Sequence, residues 1–345
     1  MDYAYDYTED VSHTKAKAGD TERWVTGLSG LLDPTKSAKM TLRELIKMDT
    51  TVLDIEMKKA TVTRTELEVA FNAVRNTSLN SYGYSPYPLK QYITWVKDII
   101  SSQAAGSKKP FIISITSSDP SELRIMLSMI QELRRSLSQD PLVGTSSDPI
   151  VGIELNTSCP NIPDKPPPAY TPLSPEFLDL LAPLAEMGHE DESLVLGLKL
   201  PPYVYRRQMV ELVEAVANFA NAETGRCPFR FFTCTNTLGG CVMFQDQTED
   251  TRKQDLGTFA LPTKYGGLAG EPLHSLALGN VMTFKEILTQ HSIEGVRQIG
   301  IIGVGGVNSP DAYQRMLRAG AAAVACATAL GVEGVGVFDR LIGKS

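Results

Sequence analysis

From residue 109 onward the chain repeats one pattern, a short and almost wholly apolar run followed by an amphipathic stretch of helical period. The runs fall at 110–115 (PFIISI), 150–155 (IVGIEL), 194–200 (LVLGLKL), 229–234 (FRFFTC), 299–304 (IGIIGV) and 322–326 (AAVAC). A strand that is apolar on both faces is one covered on both faces, the condition of a parallel sheet. Segments of helical period at 121–138, 175–187, 205–222, 275–290 and 309–319 supply the cover. Strand–helix repetition leaves two architectures, an open doubly wound sheet or a closed (β/α)8 TIM barrel.

The polar residues choose between them. Short polar, Gly-rich or Pro-rich segments follow almost every strand: NTSCPN, PPY, TNTLGG, GVGGV and ATALG. A barrel gathers its site from the C-terminal ends of many strands, whereas a doubly wound sheet concentrates it at one switch point. The expected fold is therefore an α/β class (β/α)8 barrel over residues 21–345, preceded by a disordered tail at 1–20. Its start is degenerate. Residues 41–48 read as a helix, 51–64 as a strand, and 23–32 as a faint first strand, while 101–109 and 138–149 read as loops.

Composition narrows the function. With 345 residues and 42% hydrophobic content the chain can bury a large core. A net charge of −7, with no block of Lys and Arg, argues against a nucleic-acid partner. No apolar run approaches the ~18 residues of a membrane span, and the acidic first twenty residues lack a signal-peptide core, so a cytoplasmic protein is expected. Cys159, Cys227, Cys234, Cys241 and Cys326 form no C-x-x-C pair, and the four histidines give no metal spacing, so no metal is expected.

The densest chemistry is Glu154-Leu155-Asn156-Thr157-Ser158-Cys159-Pro160-Asn161, which closes a strand and runs into a proline-rich segment at 162–168. Two amides and a thiol there offer donors, acceptors and a proton acceptor at the barrel mouth. The stiff segment after them reads as a lid-like loop. The bland alternative is a buried strand-end cysteine beside turn-forming Asn and Pro.

NTSCPN followed by P-x-K-P resembles the signature of class 1A dihydroorotate dehydrogenases, the soluble, cysteine-type branch. The resemblance implies an FMN enzyme that converts dihydroorotate to orotate in pyrimidine biosynthesis, with fumarate as acceptor and a homodimer as the assembly. It casts Cys159 as the base that takes a proton from C5. Thr77-Ser78-Leu79-Asn80-Ser81-Tyr82-Gly83 resembles the family's substrate loop, and Asn236-Thr237 its Asn-Ser pair. Asn80, Tyr82, Gly83, Asn156, Asn161, Asn236 and Thr237 would then hold the substrate, amides suiting a ring of alternating N–H and C=O groups. Lys199 in Gly197-Leu198-Lys199 matches the lysine at the flavin pyrimidine ring, where a cation favours the reduced anion. Gly270 ends a segment similar to the family's GGIGG. Gly305-Gly306 and Ala327-Thr328 match its two phosphate loops, which use backbone N–H donors after the last two strands.

The resemblance has three departures. The family's first strand carries a small-residue N-A-S-G segment against the flavin, for which Leu28-Ser29-Gly30 is only a loose candidate. Val62-Thr63-Arg64-Thr65 is the nearest match to a segment where the family carries a lysine, so Arg64 would replace it, closer in sequence to Asn80 than usual. Ala327 stands where the family has glycine, a strained exchange only if φ there is positive. Two rival readings share these motifs: a flavin oxidoreductase acting on another pyrimidine, and an inactive FMN-barrel paralogue.

Overall fold

The computed structural model of the chain describes residues 46–51, 69–83, 87–102, 110–139, 151–162, 166–248 and 257–343. The expected tail, the faint strand at 23–32 and Arg64 lie outside the described residues. In chain order the strands are β1 (Ile46–Thr51), β2 (Val69–Asn72), β3 (Thr77–Asn80), β4 (Phe111–Thr116), β5 (Val151–Asn156), β6 (Leu196–Leu200), β7 (Phe229–Cys234), β8 (Leu238–Val242), β9 (Tyr265–Gly270), β10 (Gly300–Val304) and β11 (Ala323–Ala325). The helices are α1 (Leu89–Ser102), α2 (Pro120–Ser138), α3 (Pro175–Glu190), α4 (Arg206–Ala217), α5 (His274–Gln290), α6 (Glu294–Arg297), α7 (Pro310–Ala319), α8 (Thr328–Glu333) and α9 (Gly336–Leu341). No helix among the described residues is long and apolar enough to cross a membrane.

Seven strands form one parallel sheet in the order β1-β4-β5-β6-β7-β10-β11. The order never reverses along the chain. A doubly wound sheet must reverse once; a barrel never does. Side chains on successive residues point to opposite faces, and the two faces differ. Val151, Ile153 and Leu155 of β5 join the large core beneath the helices, with Leu127, Ile130, Phe177 and Leu184. The inner face holds a separate small cluster of Ile112, Val195, Phe231, Ile302 and Ala323. On that inner face the buried Glu154 carboxylate accepts hydrogen bonds from Ser114 Oγ (2.7 Å) and Thr233 Oγ1 (2.5 Å). A carboxylate inside a barrel requires such donors.

Three covering helices start in one way. Asp119-Pro120, Ser174-Pro175 and Ser309-Pro310 each place a side-chain acceptor at the N-cap and a proline in the first turn. These caps stop each loop at a fixed residue, which sets how much chain remains to form the mouth.

Two expectations are corrected. Residues 46–48 belong to β1 rather than to a helix, because the segment pairs residue by residue with β4 from Ile46↔Phe111 to Thr51↔Thr116. Tertiary pairing overrides a weak local helical preference. The second correction concerns the substrate loop, which is half strand. β3 is central to a small antiparallel sheet, β2-β3-β9-β8, whose strands are short, β8 and β9 also Gly-rich, and do not announce themselves.

Candidate active site

The C-terminal end of β5 is fixed to β6 through one carbonyl. Lys199 O accepts from Thr157 N (3.2 Å), Thr157 Oγ1 (2.8 Å) and Ser158 Oγ (2.9 Å). The chain therefore leaves β5 in a set direction, and Cys159 follows immediately. Its thiol sits 3.8 Å from the Gly83 carbonyl, in donor geometry. Asn236, just beyond β7, donates from Nδ2 to Asn156 Oδ1 (3.2 Å) and Ser158 Oγ (3.0 Å). From the antiparallel sheet, Asn80 donates to Gly267 O (3.2 Å). Asn161 Nδ2 reaches Asn80 Oδ1 (3.0 Å) and Tyr82 O (2.6 Å).

Nine residues singled out in the sequence converge here. Asn80, Tyr82, Gly83, Asn156, Cys159, Asn161, Lys199, Asn236 and Thr237 line one small cavity, together with Pro160. They come from three parallel strands and the antiparallel sheet. The cavity measures about 10 Å³, room for about one water-sized centre. The four amides bond in two pairs, Asn161 to Asn80 and Asn236 to Asn156, so a planar ring would enter by replacing amide–amide hydrogen bonds with its own. Gly267 permits this closeness: a Cβ there would lie 2.1 Å from Thr237 Oγ1.

The remaining described candidates form a second group. Gly305 and Gly306 adopt φ of 131° and 65°, which side-chain-bearing residues rarely adopt. Their loop packs on the start of α5, where His274 Nδ1 bonds Gly305 O (2.8 Å). Arg315 Nε donates to the other ring nitrogen (3.1 Å), so Nδ1 carries the hydrogen. Gly270 touches this loop through its carbonyl, 2.8 Å from where a Gly306 Cβ would stand. Ala327 is the N-cap of α8 and has φ −122°, so the position does not call for the positive φ that favours glycine. Thr328 Oγ1 pairs with Ser78 Oγ at 2.9 Å. Ser78 and Asn80 share one face of β3, which links the two groups.

Residues the sequence reading passed over also matter. Ser158 is almost fully buried and joins Asn156, Asn236 and Lys199, although its place inside the NTSCPN motif was the available signal. Thr235, beside Asn236, is 3% exposed, and its hydroxyl has no partner among the described residues. A buried hydroxyl without a partner is costly and implies a polar group still to come. With Lys199 buried at the neighbouring strand end, and α8 lacking a side-chain cap, the polar ends needed for a flavin mononucleotide are present.

The dihydroorotate dehydrogenase family matches residues 69–344, most of the chain. A Streptococcus pneumoniae serotype 4 protein described as "Probable dihydroorotate dehydrogenase A (fumarate)" is 32% identical over 265 residues, covering 76% of this chain and 70% of its own. A Streptococcus agalactiae serotype Ia relative described as "Putative dihydroorotate dehydrogenase A (fumarate)" is 30% identical over 265 residues, with the same two coverages of 76% and 70%. Among solved structures, ligand-free DHODH from Eimeria tenella superposes with a TM-score of 0.54 at 14% identity, over 80% of this chain and 70% of that one. That likeness bears on the fold alone and agrees with a barrel of which the described residues supply seven strands. The chain belongs to the dihydroorotate dehydrogenase family, as a diverged member of its cysteine-type class 1A branch.

Proposed function

We propose that this protein oxidises dihydroorotate to orotate, with FMN as its resident cofactor and fumarate as the final acceptor. The observation that carries the reading is the meeting of Cys159, Lys199 and four asparagines at one cavity. Cys159 takes the C5 proton in this reading, which its thiol facing the pocket wall at Gly83 supports. Asn80, Asn156, Asn161 and Asn236 orient the ring, and their present hydrogen bonds to one another hold the geometry ready. Bound FMN would supply the acceptor for the hydride leaving C6. Lys199 and the Thr235 hydroxyl would hold its ring, and Gly305-Gly306, Ala327 and Thr328, with the Gly270 turn, its phosphate. Arg64 is the proposed second cation beside it. Buried Lys199 favours negative charge developing nearby.

The direct test is anaerobic. Purified protein should be yellow, and dihydroorotate should bleach the flavin band. A preparation that neither carries nor takes up FMN removes the reading. Bleaching by a different pyrimidine, with dihydroorotate inert, would move the substrate and keep the chemistry. Reoxidation by added fumarate then tests the acceptor.

A further inference from the structure

The loop proposed to hold the cofactor phosphate is itself held by one side chain. His274, the first residue of α5, is 8% exposed, and its Nδ1–H donates to Gly305 O at 2.8 Å. Arg315 Nε, from α7, donates to Nε2 of the same ring at 3.1 Å and so fixes that tautomer. No other donor among the described residues reaches the Gly305 carbonyl. The imidazole is thus engaged at both nitrogens, by α7 on one side and by the loop that leads into α7 on the other.

The bond matters because of what shares its peptide plane. Gly305 O and Gly306 N–H belong to one planar trans peptide, whose C=O and N–H point in opposite directions. Holding the carbonyl against α5 therefore turns the Gly306 N–H away from α5. That N–H donates to no group among the described residues. The flanking glycines have φ of 131° and 65°, and glycine populates both signs of φ about equally, so the chain itself does little to prevent a flip of this peptide. A flip would put a carbonyl oxygen where the donor stood. One orientation attracts a phosphate oxygen and the other repels it.

We propose that His274 is a positioning residue for the cofactor: by anchoring Gly305 O it keeps the Gly306 N–H aimed at the phosphate of FMN. Its effect passes through the peptide, so it falls on the phosphate end of the cofactor and spares the ring. The inference rests on the reading that Gly305-Gly306 hold that phosphate, and the test separates the two.

Riboflavin shares the ring of FMN and lacks its phosphate, which makes it the control ligand. Purified protein freed of flavin is titrated with each, and quenching of flavin fluorescence reads the binding. Wild type should bind FMN about 100-fold more tightly than riboflavin, as two charge-assisted hydrogen bonds to a dianion would give. His274→Phe keeps the bulk of the ring and deletes the donor. It should weaken FMN about tenfold and leave riboflavin within about twofold. His274→Asn places an amide N–H close to the lost Nδ1 and should restore FMN to within about threefold of wild type. His274→Gln carries its amide out to the place of Nε2, away from Gly305 O, and should bind as the Phe variant does.

Equal losses for FMN and riboflavin would make His274 a packing residue and overturn the inference, as would full FMN affinity in His274→Phe. Should the Phe variant fail to fold, the Asn and Gln variants decide alone, and equal FMN-to-riboflavin ratios in the two overturn it. A wild type that binds both flavins alike, or neither, removes the proposed phosphate site. That is a failure of the proposed function, and the inference falls with it.

Discussion

The two ends of β5 are built from the same kinds of group for different purposes. At its start, Val151 O accepts from Arg134 Nη1 at 2.6 Å, and that guanidinium also reaches Gln131, Asp191 and Ser193. Every polar atom there serves another part of the scaffold. At its finish, Asn156, Ser158 and Asn236 hold one another around a cavity into which Cys159 also faces. Both ends are networks of charged or amide groups on a buried strand. The first joins α2 to the segment before β6 at the barrel floor, the N-terminal end of the strands; the second leaves donors and acceptors that a ligand can take over. A polar cluster thus becomes a site by facing a space, not by its composition.

The comparison predicts that damage at the two ends will register in different measurements. Cys159→Ala should slow flavin reduction by dihydroorotate about 10²- to 10⁴-fold, the range for loss of a general base, with an unfolding midpoint near that of wild type. An unchanged rate would remove the thiol from the chemistry. Asn236→Ala deletes two donated bonds and the cap on Thr237 N, and should weaken orotate binding about 10- to 100-fold, from roughly 1.4–2.7 kcal/mol of lost hydrogen bonding. Titration of the flavin absorbance with orotate reads this directly. A variant that loses stability yet binds orotate normally would place Asn236 with the floor, and the contrast between the ends would fail.

How far these ends were legible differs in the same way. The strand runs needed little correction: 229–234 is β7 to the residue, and 299–304 overlaps β10 except for one residue. Apolar periodicity reports burial, and burial is what the sheet is made of. The NTSCPN motif likewise exposed the finishing end, because thiol and amides are chemically distinctive. The starting end was invisible, since Arg134, Gln131 and Asp191 on helical and turn segments look like any solvated surface. The antiparallel sheet was hidden for another reason. TSLN, LGGCV and YGGLAG carry few β-branched residues, and glycine serves close approach there, as Gly267 does against Thr237. Thr235 declared itself only when its hydroxyl was found buried without a partner among the described residues.

At the floor the expected effects are smaller and purely structural. Arg134→Ala removes the donor to Val151 O and the contacts to Asp191 and Ser193, and should lower stability by about 1–2 kcal/mol. Urea unfolding measures the loss, and orotate affinity should stay within about twofold, as a site on the opposite strand end requires. A large fall in affinity would show that the ends are coupled.

The smallest effect is one of pH. Burial pushes the Asp191 carboxyl up, but hydrogen bonds from Ser193 and Gln131 and the charge of Arg134 outweigh it, and the group is held below its ordinary range. A carboxyl depressed in the folded state contributes stability above its unfolded pKa of about 4, and loses that contribution as pH falls through the lower folded value. Asp191→Asn should therefore be less stable than wild type at pH 7, and the gap between them should narrow below about pH 4. Paired urea midpoints at pH 7 and pH 3 test the sign. A gap that widens on acidification would mean burial, not the Arg134 cluster, governs this carboxylate. The lower end of β5 would then resemble the upper end, with a charged group held at a cost to the fold.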